Sequence, residues 1–140
     1  MAKRRRGFQP PRPHRPSQQR RHRSFESLVE RALASIPMPF ARALDEVAIV
    51  IADEPTLDEL EESGLDEDEG LYGLYEGTPR TEWGADLVPY PNKITLFRLP
   101  LEEDFPDPRD LEEEVRETVI HELAHHLGID DQRLHDLGHG

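Results

Sequence analysis

Cysteine is absent from the 140-residue sequence. That excludes disulfide cross-links, thiolate metal sites and cysteine nucleophiles, and leaves a metal only His and carboxylate side chains. Long apolar runs are missing as well. The longest clean one, Val47 to Ala52, falls far short of the roughly 18 residues that mark a membrane-spanning helix, which excludes a transmembrane protein and, with the lack of cysteine, fits a cytoplasmic setting. Hydrophobic residues are scarce at 35% and aromatics at 6%, enough for one small core and no second domain.

Acidic residues are missing from one stretch only. Residues 1–23 hold nine basic side chains (Lys3, Arg4, Arg5, Arg6, Arg12, Arg15, Arg20, Arg21 and Arg23) and no carboxylate, although the whole chain carries a net charge of −13. The remaining residues, 24–140, hold 8 basic against 30 acidic side chains, so the protein is an acidic body with a basic arm. The arm also contains Pro10, Pro11, Pro13 and Pro16 with Phe8 as its sizeable apolar group. It cannot bury enough surface to offset the entropy of ordering, and residues 1–23 are predicted to be disordered, ahead of a folded domain at 24–140. Arg5 and Arg6 open like a twin-arginine signal, but prolines and arginines stand where its apolar run is needed. Two roles for the arm stay open: a solvated tail against the acidic body, or electrostatic contact with nucleic-acid phosphates.

In the body, Ser24 to Ser35 reads as an amphipathic helix with Ser24 as N-cap and Phe25, Leu28, Val29, Ala32, Leu33 and Ile36 at helical spacing. Asp45 to Ala52, rich in Val and Ile, is expected to be a central strand. The acidic segment from Asp53 to Glu69 reads as a solvated loop with one helical turn; Asp66, Asp68 and Gly70 lack the remaining ligands of a calcium loop. Leu71 to Tyr75 predicts a short strand with a glycine at its middle. Lys93 to Leu99, bracketed by Pro91 and Pro100, predicts an edge strand. Trp83 and Tyr90 are expected in the core or at its rim. Asp110 is expected to cap the last long helix, which Gly128 closes. The fold class is α+β.

Five of the seven histidines fall in the last twenty residues, and His121, Glu122, Leu123, Ala124 and His125 form an HExxH pattern inside that helix. Residues four apart share a helical face about 6 Å apart, so two imidazoles can converge on one ion at about 2.0 to 2.1 Å. Glu122 lies about 100 degrees round, at the edge of that face. From there it can act as general base on a metal-activated water that attacks a carbonyl carbon. Composition alone would place HExxH in roughly one shuffled sequence in twenty-five. Gly128 and Asp131 extend the pattern to HExxHxxGxxD, with a chance expectation on the order of one in several thousand. The extension has a physical reason. A helix that continued would carry position 131 away from the histidines, whereas a left-handed Gly128 lets the chain turn back and brings Asp131 beneath the metal as third ligand. His135, Asp136 and His139 compete for that place, and His135 with His139 offers a second, surface site. His126 lies off the ligand face and is expected to pack or hydrogen-bond elsewhere. For an oxyanion partner, Tyr72, Tyr75 and Tyr90 all stay open.

These residues resemble the zincin metallopeptidases, and among them the metzincins, whose motif reads HExxHxxGxxH or HExxHxxGxxD; the closest likeness is to small bacterial minimal zincin-like proteins. It runs from about Ser24 to the end, through LYGLYEG at 71–77, ITLFRLP at 94–100 and HELAHHLGIDDQRL at 121–134. The resemblance implies a small zincin-like domain with a mixed sheet and an active-site helix, a bound Zn2+, a peptide or protein substrate, and peptide-bond hydrolysis. It further implies that the strand Ile94 to Leu99 pairs with an extended substrate. One feature departs from ordinary metzincins: no methionine follows Asp131, since Met1 and Met38 both lie upstream, so the methionine turn has no counterpart and weak or restricted turnover is expected. No glutamate follows Glu122, which excludes the branch whose third ligand is a later glutamate. The alternative from another class is a metal-stabilised, non-catalytic binding or regulatory module that contacts nucleic acid or a protein partner through residues 1–23.

Overall fold

The last proline of the N-terminal arm is Pro16, and a helix begins two residues later. In the computed structural model, which describes residues 18–64, 71–77 and 92–138, helix α1 spans Gln18–Ala34. It starts six residues before the expected Ser24 cap. Gln19 to Arg23 contains no helix breaker, and His22 Nδ1 meets Glu26 Oε1 one turn on at 2.7 Å. Residues 18–23 are therefore helical rather than part of a disordered arm, and residues 1–17 lie outside the described residues. Phe25, Leu28, Val29, Ala32 and Ile36 are buried as their spacing predicts.

After Pro37 and Pro39 come α2, Phe40–Ala43, a single 3-10 turn at Leu44–Glu46 and strand β1, Ala48–Ala52. Helix α3, Leu57–Glu62, opens with a reciprocal cap in which Thr56 Oγ1 accepts from the Glu59 N–H at 3.1 Å and Glu59 Oε1 from the Thr56 N–H at 2.8 Å. Strands β2, Gly73–Glu76, and β3, Lys93–Phe97, precede α4, Arg98–Asp104; α5, Pro108–Leu127; and α6, Asp131–Asp136. The Asp66, Asp68 and Gly70 segment, the Thr78 to Pro79 turn, Trp83 and Tyr90 lie outside the described residues.

The sheet order is β1-β3-β2, with β1 parallel to β3 and β2 antiparallel to it. This reverses two expectations. Among the described residues the strand at Ala48–Ala52, expected at the centre, is an edge and leaves Val50 exposed, while the strand expected at the edge is the central one, with Ile94, Thr95, Leu96 and Phe97 all buried. Pro100 misled because it lies past the paired span, where no ladder hydrogen bond is lost, and Pro91 lies outside the described residues. Pro100 instead sits in the first turn of α4, a position at which its missing N–H costs nothing.

Helix α5 is the hub: it packs against α1, α2 and α4, and against β2 and β3. Leu111, Val115, Val119, Leu123 and Ala124 share one buried cluster with the α1 stripe and with Ile94 and Leu96, each large side chain contributing about 1.5–3 kcal/mol through burial. The cap lies three residues earlier than the expected Asp110. Asp107 is the cap, its Oδ1 accepting from the Arg109 N–H at 2.9 Å, and Pro108 takes the first helical position. At the other end Gly128 is left-handed, with φ 73°. The Ile129 N–H bonds the Ala124 carbonyl at 2.8 Å and the Gly128 N–H bonds that of His125 at 3.1 Å, the paired hydrogen bonds of a glycine-closed helix. The chain then reverses into α6, whose one buried side chain among its described residues is Leu134. Among the described residues no helix is long and apolar enough to cross a membrane.

Candidate metal centre

The two halves of the HExxH pattern face each other from successive turns of α5. The rings of His121 and His125 have their centres 5.2 Å apart with their planes at 64°. Two imidazoles bound to one tetrahedral ion at about 2.0–2.1 Å would have ring centres roughly 5 Å apart, so this pair fits a shared cation. His125 is exposed and His121 partly so, which leaves the face accessible from solvent.

Glu122 is buried, and its Oε1 accepts a hydrogen bond from the backbone N–H of Tyr75 at 3.0 Å. The same oxygen is 3.6 Å from His125 Nδ1. Strand phase explains the first contact. The Phe97 N–H bonds the Tyr72 carbonyl, so the even-numbered residues of β2 face β3 and the odd-numbered ones, Gly73 and Tyr75, direct their backbone polar groups to the outer edge. Glu122 meets that edge from α5.

Close contact between helix and strand depends on Gly73. A Cβ there would stand 2.7 Å from Thr118 Cγ2 and 3.7 Å from Glu122 Cγ. The glycine expected at the middle of a strand Leu71 to Tyr75 instead opens β2 and marks a close backbone approach, a meaning that the pattern alone did not assign. A cleft of about 610 Å3 opens beside this contact, lined among others by Tyr72, Gly73, Glu113, Glu114, Glu117, His121 and Glu122. Burial raises the pKa of Glu114 in its wall, with the Thr118 hydroxyl partly opposing the shift.

The four remaining ligand candidates divide. Asp131 is the first residue of α6, placed there by the turn at Gly128 and capped by Asp130, whose side chain accepts from the Arg133 N–H; the Asp131 side chain lies outside the described residues, as does His139. His135 and Asp136 are exposed on α6. Among the described residues no group of three or more ligating side chains is assembled for a metal. What is described supplies two imidazoles and a buried carboxylate, Glu122, 3.6 Å from one of them.

Two tyrosines considered for oxyanion contact are engaged elsewhere. The Tyr72 hydroxyl donates to Asp104, and this bond, with burial, pushes its pKa up to about 12. The Tyr75 hydroxyl lies 2.9 Å from His126 Nδ1 and donates to Asn92 Oδ1 at 3.0 Å. His126 is fully buried and its Nε2 lies 3.0 Å from Glu46 Oε1. It hydrogen-bonds away from the ligand face, as its helical phase predicts.

A family model described as zincin-like metallopeptidase matches residues 44–140, more than half of the chain. No curated protein matches it. The matched span begins after α1, yet α1 supplies Phe25, Leu28, Val29 and Ala32 to the core cluster that holds α5.

Proposed function

The chain belongs to the zincin-like metallopeptidase family, and from that premise we propose that it hydrolyses peptide bonds with a zinc ion held by His121, His125 and Asp131. The observation that carries this reading is a buried carboxylate, Glu122, held by the Tyr75 N–H at the wall of a cleft and 3.6 Å from His125, beside two imidazoles in edge-on contact. When bound, zinc supplies a Lewis acid that acidifies water and polarises a carbonyl. Glu122 accepts the proton of the attacking water and delivers it to the leaving amine. The Tyr75 N–H holds one carboxylate oxygen in place, so the base does not have to be oriented at the moment of reaction.

The substrate strand follows from the corrected sheet order. An extended peptide adds to β2, not to Ile94–Leu99, because β2 is the edge beside His121 and Glu122.

The deciding experiment compares zinc-loaded wild type with Glu122→Gln on a mixed peptide library. The expected result is cleavage by the wild type and a loss of about 10²–10⁴-fold in the variant at equal zinc content. A wild type that holds one zinc and cleaves nothing overturns the hydrolase reading in favour of a non-catalytic module.

A further inference from the structure

Tyr75 touches the reactive helix twice. Its backbone N–H donates to Glu122 Oε1 at 3.0 Å, and its hydroxyl lies 2.9 Å from Nδ1 of His126. Glu122 and His126 are four residues apart on α5, so they stand one above the other on the face turned to β2. The strand is thus fixed to the helix at two points one turn apart, which sets both its height and its rotation relative to the carboxylate.

Each end of this clasp is itself held. His126 is fully buried, and its other nitrogen lies 3.0 Å from Glu46 Oε1, a carboxylate on the 3-10 turn before β1. The phenol also donates to Asn92, the residue before β3, and its ring packs against the His126 ring with centres 5.6 Å apart. Four separate segments therefore converge on one phenol and one imidazole in a partly buried setting where each of these polar groups has a partner. Such a network is rigid because breaking any member strands the next. β2 is only four residues long and paired on one side by β3.

We infer that Tyr75 is a positioning residue: together with His126 and Glu46 it sets the orientation of the Glu122 carboxylate beside His121 and His125. This rests on the hydrolase reading for its effect on rate, but the orientation itself can be read without turnover.

The test uses the full-length, zinc-loaded chain and Tyr75→Phe, which removes only the hydroxyl. Peptide kinetics and the backbone amide resonance of residue 75 are measured, with Glu122→Ala marking where that resonance lies once its acceptor is gone. The expected result is a kcat lowered by on the order of 10- to 100-fold, KM within about twofold, zinc content unchanged, and the amide resonance moved toward its Glu122→Ala position. A purely structural role would lower the melting temperature and leave kcat of the folded fraction intact. An amide that stays in place, or a kcat that does not fall when the amide has moved, overturns the inference. If wild type hydrolyses no peptide while the amide shifts as expected, the hydrolase reading has failed and the positioning of Glu122 stands. Glu46→Gln, which keeps the shape of the network, is expected to give the smaller change of the two variants.

Discussion

The N–H of Tyr75 and the carboxylate of Glu122 meet at 3.0 Å across the outer edge of the sheet. The contact joins the strand that would take a substrate to the helix that would carry the chemistry, and both depend on how closely the two elements approach.

That approach predicts a paired effect. Gly73→Ala puts a methyl group 2.7 Å from Thr118 Cγ2, an overpacking expected to cost about 1–3 kcal/mol. Thr118→Ser removes the opposing methyl. Urea denaturation of the two single variants and the double variant should show the double closer to wild type than additivity allows.

A second prediction concerns Gly128, which holds φ at 73°. Gly128→Ala should lower stability by about 1 kcal/mol or more and move the start of α6, weakening zinc binding. Thermal melts with and without added zinc separate the two effects: stabilisation by zinc should be smaller in the variant than in wild type.

The third metal ligand is testable by the same linkage. Asp131→Ala is expected to abolish most of the zinc-dependent rise in melting temperature, whereas His135→Ala, on an exposed face of α6, should preserve it. Elemental analysis of each freshly purified variant provides the independent count. Preserved binding in Asp131→Ala with loss in His135→Ala would reassign the ligand.

Tyr72 gives a pH prediction. Its hydrogen bond to Asp104 favours the protonated phenol in the folded state and raises its pKa from 10.0 to about 12. The folded state then binds the proton more tightly than the unfolded chain, so this contribution to stability is fully present below about pH 10 and is lost as pH rises toward 12. The ultraviolet difference between wild type and Tyr72→Phe should place the ionisation near 12, and Asp104→Asn should bring it back down.

Charge in the cleft suggests the fifth. Glu113, Glu114 and Glu117 stand in its wall, so peptides bearing Lys or Arg near the scissile bond should be preferred and KM should rise with salt. Glu113→Gln with Glu117→Gln should reduce both the preference and the salt dependence.

Much of this arrangement is legible in the residues alone. The helical spacing of Phe25, Leu28, Val29 and Ala32, and of Leu111, Val115, Val119 and Leu123, reports burial directly, because a helix presents one face to its neighbours. The terminator at Gly128 is legible for a similar reason: few residues other than glycine adopt that backbone at little cost. The order of strands is not legible. β1 and β3 carry similar β-branched runs, and what decides the centre is pairing across more than forty residues of sequence, which local pattern does not encode. The clasp on Glu122 is hidden for the same reason, since it is made by a backbone N–H from residue 75. The earlier starts of α1 and α5 had local signals: Pro108 after Asp107 in one case, an unbroken run after Pro16 in the other.

One feature of the last helix reaches beyond its place in the fold. Among its described residues α6 buries one side chain, Leu134, so the segment carrying Asp131 is expected to open at a lower free energy than the body it leans on. Were Asp131 to hold the proposed ion, its departure would loosen the segment that bears the ligand, and a protease sampling the apo protein would be expected to shorten the C-terminus first.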